Sequence, residues 1–222
     1  GHQVRRVDHD DKSVVIDTSQ GEFTADFAVV TLPLGVLKHR GVEFHPALPE
    51  RKRDAVQRMG MGLLNKTYLK FPRQFWPARA DWLGFVSETK GRWSEYLNVA
   101  KFLAQPVLLG FTAATFARRT EKKTDQEIVA GMIAALRSMF GGRKVPDPLD
   151  VRITRWASDP FSYGSYSFMK TGSTPEDYEH LAEPVDNRLF FAGEHTSRRY
   201  SATVHGAYLS GIRAAKRIGA QV

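Results

Sequence analysis

Cysteine is absent from the 222 residues. No disulfide, thiolate nucleophile, zinc–thiolate site or cysteinyl cofactor link can therefore be built from this chain. The absence fits a reducing compartment, and a cytoplasmic location is the expectation drawn from it. Long apolar runs are lacking as well. The longest, Phe27 to Leu37, is interrupted by Thr31 and Pro33, and it falls far short of the ~20 residues that span a bilayer. Behind Gly1-His2-Gln3-Val4-Arg5-Arg6 there is no apolar stretch, so no signal peptide is read there. Repeats and low-complexity segments are missing too. What is present is ordinary globular composition, 42% hydrophobic and 25% charged, enough to bury a sizeable core. The formal charge of +8 is scattered apart from Arg51-Lys52-Arg53 and Arg118-Arg119. Short charge runs of this kind read as solvated faces, so neither nucleic acid nor a membrane is expected as a partner.

The local patterns alternate between sheet and helix. Val4 to Val7 and Ser13 to Asp17 read as short strands around the turn-forming Asp8-His9-Asp10-Asp11, with a further arm from Gly21 through Phe23. Asp26 to Leu32 is almost continuously apolar, as in strands buried on both faces, so its sheet is expected to have partners elsewhere. Pro49 to Met59 reads as a helix with Pro at its first turn and Gly60 past its end. Strands are predicted at Lys66–Phe71, Trp82–Val86, Tyr96–Val99, Val107–Thr112 and Val151–Trp156. The clearest helix is Thr124 to Phe140, where Thr124 and Glu127 form a capping box, Ile128, Met132 and Leu136 mark one face, and Gly141-Gly142 ends it. A short helix follows Thr174 as cap and Pro175. Leu189 to Ala192 is a buried strand leading into Gly193, and the last helix runs from about Thr203 to Ile218. This order predicts a mixed α/β or α+β architecture with two sheets and discontinuous domains.

The chemistry concentrates in Leu189-Phe190-Phe191-Ala192-Gly193-Glu194-His195-Thr196 and in Tyr200-Ser201-Ala202-Thr203-Val204-His205-Gly206-Ala207. An apolar strand ends at a glycine that lets a ligand approach the backbone, and an acid stands next to it. The helix start at Ala202-Thr203-Val204 offers free N–H groups and a positive dipole end. Small residues at 206, 207, 210, 211 and 214 allow close packing. This suits a polar, electron-accepting ring at a strand's carboxyl end; a tightly packed terminal helix after an edge strand accounts for the same residues. Glu194, His195 and His205 lack the spacing of a metal motif, so no metal is expected. Ser201 with His205 lacks the context of a hydrolase triad.

The same stretch resembles the carboxyl-terminal FAD signature of the flavin-containing amine oxidases: polyamine oxidases, monoamine oxidases and lysine-specific histone demethylases. Further motifs follow the family's order. Asp26-Phe27-Ala28-Val29-Val30-Thr31-Leu32-Pro33-Leu34-Gly35-Val36-Leu37 resembles its strand and turn beside the cofactor. Gly60-Met61-Gly62-Leu63-Leu64-Asn65-Lys66 resembles its Asn-Lys motif. Trp156-Ala157-Ser158-Asp159-Pro160 through Gly164-Ser165-Tyr166-Ser167-Phe168 resembles its aromatic pocket motif. The resemblance implies the carboxyl-terminal part of a two-domain FAD/NAD(P)-binding fold, with residues 1–62 and 174–222 as the remnant of the FAD domain and 63–173 as a mixed-sheet substrate domain. The amino-terminal Gly-x-Gly-x-x-Gly loop of a βαβ unit is absent, so the chain is expected to be a fragment that works with a missing amino-terminal portion of the same protein.

By position, the resemblance implies that Gly193 and Glu194 contact the cofactor, Glu194 through the ribityl or ribose part. Thr203 and Val204 would face the pyrimidine edge of the isoalloxazine. Lys66 would hold a water near flavin N5 and is the one catalytic residue implied. Trp156 and Tyr166 would line the substrate pocket. Without cysteine, FAD would be bound non-covalently. Monoamine oxidases place a tyrosine where Thr203 stands, so a two-tyrosine cage is not expected, and the Thr-Val-His-Gly-Ala form is closer to the other two groups. The implied function is oxidation of a C–N bond of a small polyamine or monoamine to an imine, with O₂ reduced to H₂O₂. Alternatives are a non-catalytic interaction or substrate-binding module of the same fold, or an L-amino-acid oxidase, for which no arginine clamp can be assigned. Histone demethylation is less expected, because no tower-like helical insertion separates the motifs.

Overall fold

Asp10 closes the first turn. One oxygen of its carboxylate accepts from the amides of Lys12 and Ser13, each at 2.8 Å, and this turns β1 (Val4–His9) back as β2 (Val14–Thr18). Such Asx geometry is why aspartate sits at turns. β3 (Gly21–Ala25) continues the antiparallel meander, then β4 (Ala28–Val30) leaves it and α1 (Leu34–Lys38) follows. β5 (Glu43–His45) returns parallel beside β1, giving the sheet order β3-β2-β1-β5. α2 (Glu50–Arg58) and β6 (Gly60–Gly62) complete this part.

β7 (Leu64–Lys70) opens a different sheet with β8 (Trp82–Gly84), β9 (Glu95–Asn98) and β10 (Val107–Ala113). α3 (Ala114–Thr120) and α4 (Asp125–Phe140) precede its last strand, β11 (Asp150–Ile153). The order is β11-β7-β10-β9-β8, antiparallel throughout. Period-two alternation decides what each face does: Asn65, Thr67 and Leu69 are buried, whereas Lys66 and Tyr68 are half-buried on the other side. α4 lays Ile128, Met132 and Leu136 over Leu69, Tyr96 and Leu108, each buried aliphatic contributing about 1.5–3 kcal/mol.

β12 (Tyr166–Phe168) pairs antiparallel with β6. α5 (Glu176–Ala182), β13 (Leu189–Phe191) and α6 (Val204–Gly219) end the chain, with β13 parallel to β4 and Phe190 opposite Val29. The structure describes residues 1–141 and 145–222 of this computed structural model. It resolves into two compact units, Gly1–Gly62 with Asp159–Val222, and Leu63–Ser158. The described residues contain no helix long and apolar enough to cross a membrane.

The half-buried Lys38 and the buried Lys52 cap two helices of the first unit, as unpaired terminal carbonyls require. Lys38 donates to the carbonyls of Val56, Gln57 and Met59 at 2.7, 3.0 and 2.9 Å, closing α2. Lys52 closes α5 through His180 and Leu181, both at 2.8 Å, and lies 3.9 Å over the Phe191 ring. Burial lowers its pKa to about 7. The buried Asp177 accepts from Arg58 at 2.6 Å, joining α5 to α2.

Several boundaries differ from the sequence reading. The chain returns to the first unit at Asp159, not near 174, because β12 finds its partner in β6. Gly60, read as a helix stop, is the first residue of that partner strand. Pro49 and Pro175 are themselves the N-cap residues, so Thr174 lies one position before the cap of α5. β4 is not buried on both faces, since Val29 is 43% exposed. The capping box of α4 forms as read, with Glu127 N–H donating to Thr124 Oγ1 at 3.2 Å. Gly142 of the expected stop lies outside the described residues.

Candidate functional site

In the first unit the residues singled out after β13 form one polar loop. Gly193 has φ +131°, and a β-carbon there would meet the His195 ring at 2.6 Å; only glycine lets the strand end in this way. Its N–H donates to Ser210 Oγ at 2.8 Å, tying the strand end to α6. Glu194 follows in a short 3₁₀ turn. Its carboxylate accepts from the Ser167 amide at 2.8 Å, from Ser167 Oγ at 2.7 Å and from the Ala202 amide at 2.7 Å. A carboxylate has about four acceptor sites, so three are taken by the protein itself. Ala202 is held at φ +59°, a left-handed conformation that costs an L-residue roughly 1–2 kcal/mol; the bond to Glu194 offsets that cost.

Thr203 is the N-cap of α6. Its Oγ1 accepts from the Gly206 amide at 3.0 Å and donates to the Tyr200 carbonyl at 2.7 Å. That carbonyl crosses directly over Gly206, where a β-carbon would stand 1.9 Å from it. Val204 is 89% exposed. Among the described residues the amides of Val204 and His205 donate to no acceptor, because the first helical bond runs from Ala207 to Thr203. Two open donors at the positive end of a 16-residue helix suit a carbonyl-rich or anionic ring edge, so these residues fit the group that the sequence suggested. His195, one residue from Glu194, is buried, and burial lowers its pKa to about 4 despite the opposing pull of Glu194. It is neutral at pH 7 and packs as part of the scaffold. Tyr166 also belongs to this unit, half-buried on β12 opposite Gly62.

Lys66 and Trp156 belong to the second unit. Lys66 shares its half-buried face of β7 with Tyr68, and Phe111 stands opposite it across the ladder. Phe111 in turn stacks on Trp82, with centroids 5.5 Å apart and planes at 23°. The Lys66 backbone is fixed from both sides: its amide donates to Thr154 Oγ1 at 2.8 Å, and its carbonyl accepts from the Thr154 amide at 3.0 Å. On the buried face Asn65 organises the segment that carries Trp156. Asn65 Oδ1 accepts from the Trp156 amide at 3.1 Å, and Nδ2 donates to Glu121 at 2.6 Å. Glu121 also accepts from the Ala157 amide at 3.0 Å and from Ser158 Oγ at 2.7 Å. Burial pushes the Glu121 carboxyl up, but these donors outweigh it and hold its pKa below the ordinary value.

The sequence reading missed Glu121, Ser167 and the Trp82–Phe111 stack. Ser167 left a faint signal, a small polar residue between two aromatics on a strand. Glu121 left none, since its partners lie 36, 37 and 56 positions away. Among the described residues no group of three or more His, Cys, Asp or Glu is gathered as a cation needs.

Comparison with known proteins adds three findings. The family described as "Flavin containing amine oxidoreductase" matches residues 1–219. "Lysine-specific histone demethylase 1 homolog 1" of Oryza sativa subsp. japonica is 42% identical over 223 residues, covering 98% of this chain and 26% of that protein. "Possible lysine-specific histone demethylase 1" of Drosophila melanogaster is 43% identical, covering 90% of this chain and 25% of that protein. The chain thus spans about a quarter of the length of these relatives. Among solved structures, "Cyclohexylamine Oxidase from Brevibacterium oxydans IH-35A" aligns with a TM-score of 0.83 and 25% identity over 98% of this chain and 48% of that one.

Proposed function

Because the chain belongs to the flavin-containing amine oxidoreductase family, we propose that it works as the carboxyl-terminal part of an FAD-dependent amine oxidase, completed by an amino-terminal dinucleotide-binding portion. The observation that carries this reading is the start of α6, where Thr203 is the cap and the amides of Val204 and His205 stay open to a ligand. Thr203 and Val204 would hold the cofactor's electron-rich edge, with Gly193 and Glu194 on its sugar side. FAD bound there supplies a two-electron acceptor for oxidation of a C–N bond, with O₂ taking the electrons as H₂O₂.

The chain's own residues bind and position. Glu194 keeps the Ala202–Thr203 turn in place through its bond to the Ala202 amide, so the open amides are preorganised rather than induced. Lys66 would hold a water through its ammonium. Its backbone is fixed by Thr154 on both sides, which limits the wander of a long side chain. An aromatic face, such as Tyr166 offers in the first unit, would take the uncharged amine, since loss of hydride from carbon is easiest when the nitrogen lone pair is free.

A second reading concerns the amine itself. The names of relatives at 42–43% identity favour an N-methylated lysine side chain over a free polyamine. The two readings separate by product: a methylated lysine peptide would release formaldehyde, whereas a polyamine or cyclohexylamine would not. The test uses the protein with its dinucleotide-binding portion, and H₂O₂ and formaldehyde are followed with each amine. Peroxide from any amine supports the oxidase, and formaldehyde from the peptide alone selects the second reading. A purified protein without the flavin absorption bands and without peroxide would leave the non-catalytic module. Lys66→Met should slow oxidation with flavin content unchanged.

A further inference from the structure

The second unit carries a cleft that the reading above does not use. It has a volume of about 390 Å³ and lies between the β8–β9 connection, α3 and the first turns of α4. That size falls in the ~300–1,000 Å³ range of small-molecule sites. It is on the α4 side of the sheet, because its wall residues Trp93 and Ile128 belong to the same core as Leu69. Lys66 alternates to the opposite face of β7. The cleft is therefore on the face of this sheet opposite Lys66, and no residue assigned to amine oxidation lines it.

Its walls combine two chemistries. Trp93 and Phe116 meet edge to face, centroids 6.3 Å apart, and Gly131 of α4 stands against the indole, where a β-carbon would lie 3.3 Å from Trp93 Nε1. Around this apolar floor stand three exposed cations, Arg92, Arg119 and Lys123. The one acid of the wall, Glu127, is engaged in the α4 capping box through the Thr124 amide and hydroxyl, both at 2.9 Å. Of the cations, Lys123 alone has a resolved effect on it. Among the described residues the side chains of Arg92 and Arg119 make no hydrogen bond or ion pair.

We propose that this cleft binds a small anion with a flat apolar body, of the aromatic carboxylate class. The ring would lie against the half-buried Phe116 and the small part of the buried Trp93 that the cleft reaches, and the carboxylate would be taken by the guanidinium groups of Arg92 and Arg119, whose fork geometry matches it. Lys123 adds a point charge. A bare inorganic anion would leave the aromatic floor unused, and a neutral ring would leave the cations unpaired.

The test is calorimetric titration of the 222-residue chain with naphthalene-2-carboxylate, naphthalene-2-methanol and inorganic phosphate. The carboxylate is expected to bind with a Kd below about 1 mM, and the alcohol and phosphate at least about tenfold more weakly. Arg92→Gln and Arg119→Gln, both at exposed positions, should each weaken the carboxylate about tenfold with the unfolding midpoint unchanged. Absence of carboxylate binding, equal binding of the alcohol or of phosphate, or indifference to both substitutions would each overturn the proposal. None of these outcomes depends on flavin content or amine oxidation, so the two readings stand or fall separately.

Discussion

Glu194 and Glu121 do the same job in different units and by different means. Each carboxylate accepts three bonds and fixes loops that have no regular structure of their own. Glu194 does so inside a crowded turn, where one neighbour is eight residues away and a backbone carbonyl presses on a glycine. Glu121 does so at long range, taking an amide side chain from β7 and a backbone and side-chain pair from the segment after β11. Crowding makes the first clamp intolerant of added atoms. Reach makes the second depend on polar complementarity.

The largest effect should come from breaking the crowded turn. Gly206→Ala would put a methyl 1.9 Å from the Tyr200 carbonyl, and an expected loss of about 3 kcal/mol or more would appear as a lower midpoint in denaturant unfolding. Gly211→Ala in the same helix meets nothing within 4 Å. It should instead stabilise by about 0.5–1 kcal/mol. Equal effects at the two positions would remove the crowding argument.

Acid should separate the units. His195 is neutral and buried, with its pKa lowered to about 4. The unfolded chain takes up that proton from about pH 6.5 downward, so stability rises with pH between 4 and 6.5, and on the order of 3 kcal/mol is lost on acidifying through that window. Lys52, lowered to about 7, extends the same slope upward, with stability rising from about pH 7 toward the unfolded value near 10.5. The Glu121 carboxyl lies below its ordinary value, so its contribution is complete above about pH 4.5 and is lost only in stronger acid. Amide exchange followed by mass spectrometry should show the first unit loosening near pH 5 while β7 and the 155–158 segment stay protected. His195→Gln should flatten the first slope.

Removing either clamp sharpens the comparison at smaller cost. Glu121→Gln and Glu194→Gln each turn an amide NH₂ toward existing donors, an expected loss of about 1.5–3 kcal/mol. The first should change the fluorescence of Trp156, whose amide shares Asn65 with Glu121. The smallest effect is Thr203→Ala, about 1 kcal/mol for a lost N-cap, with Thr203→Ser restoring it.

How much of this was legible in the sequence follows the same division. The loop after β13 announced itself because strand, glycine, acid and helix cap are contiguous, and α4 because its capping box and apolar spacing are local. α3 was missed because it begins at Ala113 in extended conformation with no side-chain cap. β6 and β12 were missed because three-residue strands give no period to read, and Gly60-Met61-Gly62 looks like a stop until Tyr166–Phe168 is laid beside it. Glu121 was silent because its meaning resides in partners supplied by other strands.

The parallel pairing of β4 with β13 has a kinetic consequence. That small sheet, and the His9–Asp186 contact across 177 positions, can form only after the whole second unit has been made. Closing such a long loop costs little more in equilibrium stability than closing a short one, yet non-local pairing slows folding. As the chain emerges during synthesis, the five antiparallel strands with α4 are expected to collapse before β13 is made, while β4 waits with an unpaired edge. A pulse-labelling experiment during refolding should find amides of β10 protected before those of β13. The waiting interval is the period in which this protein is most open to chaperones and to aggregation.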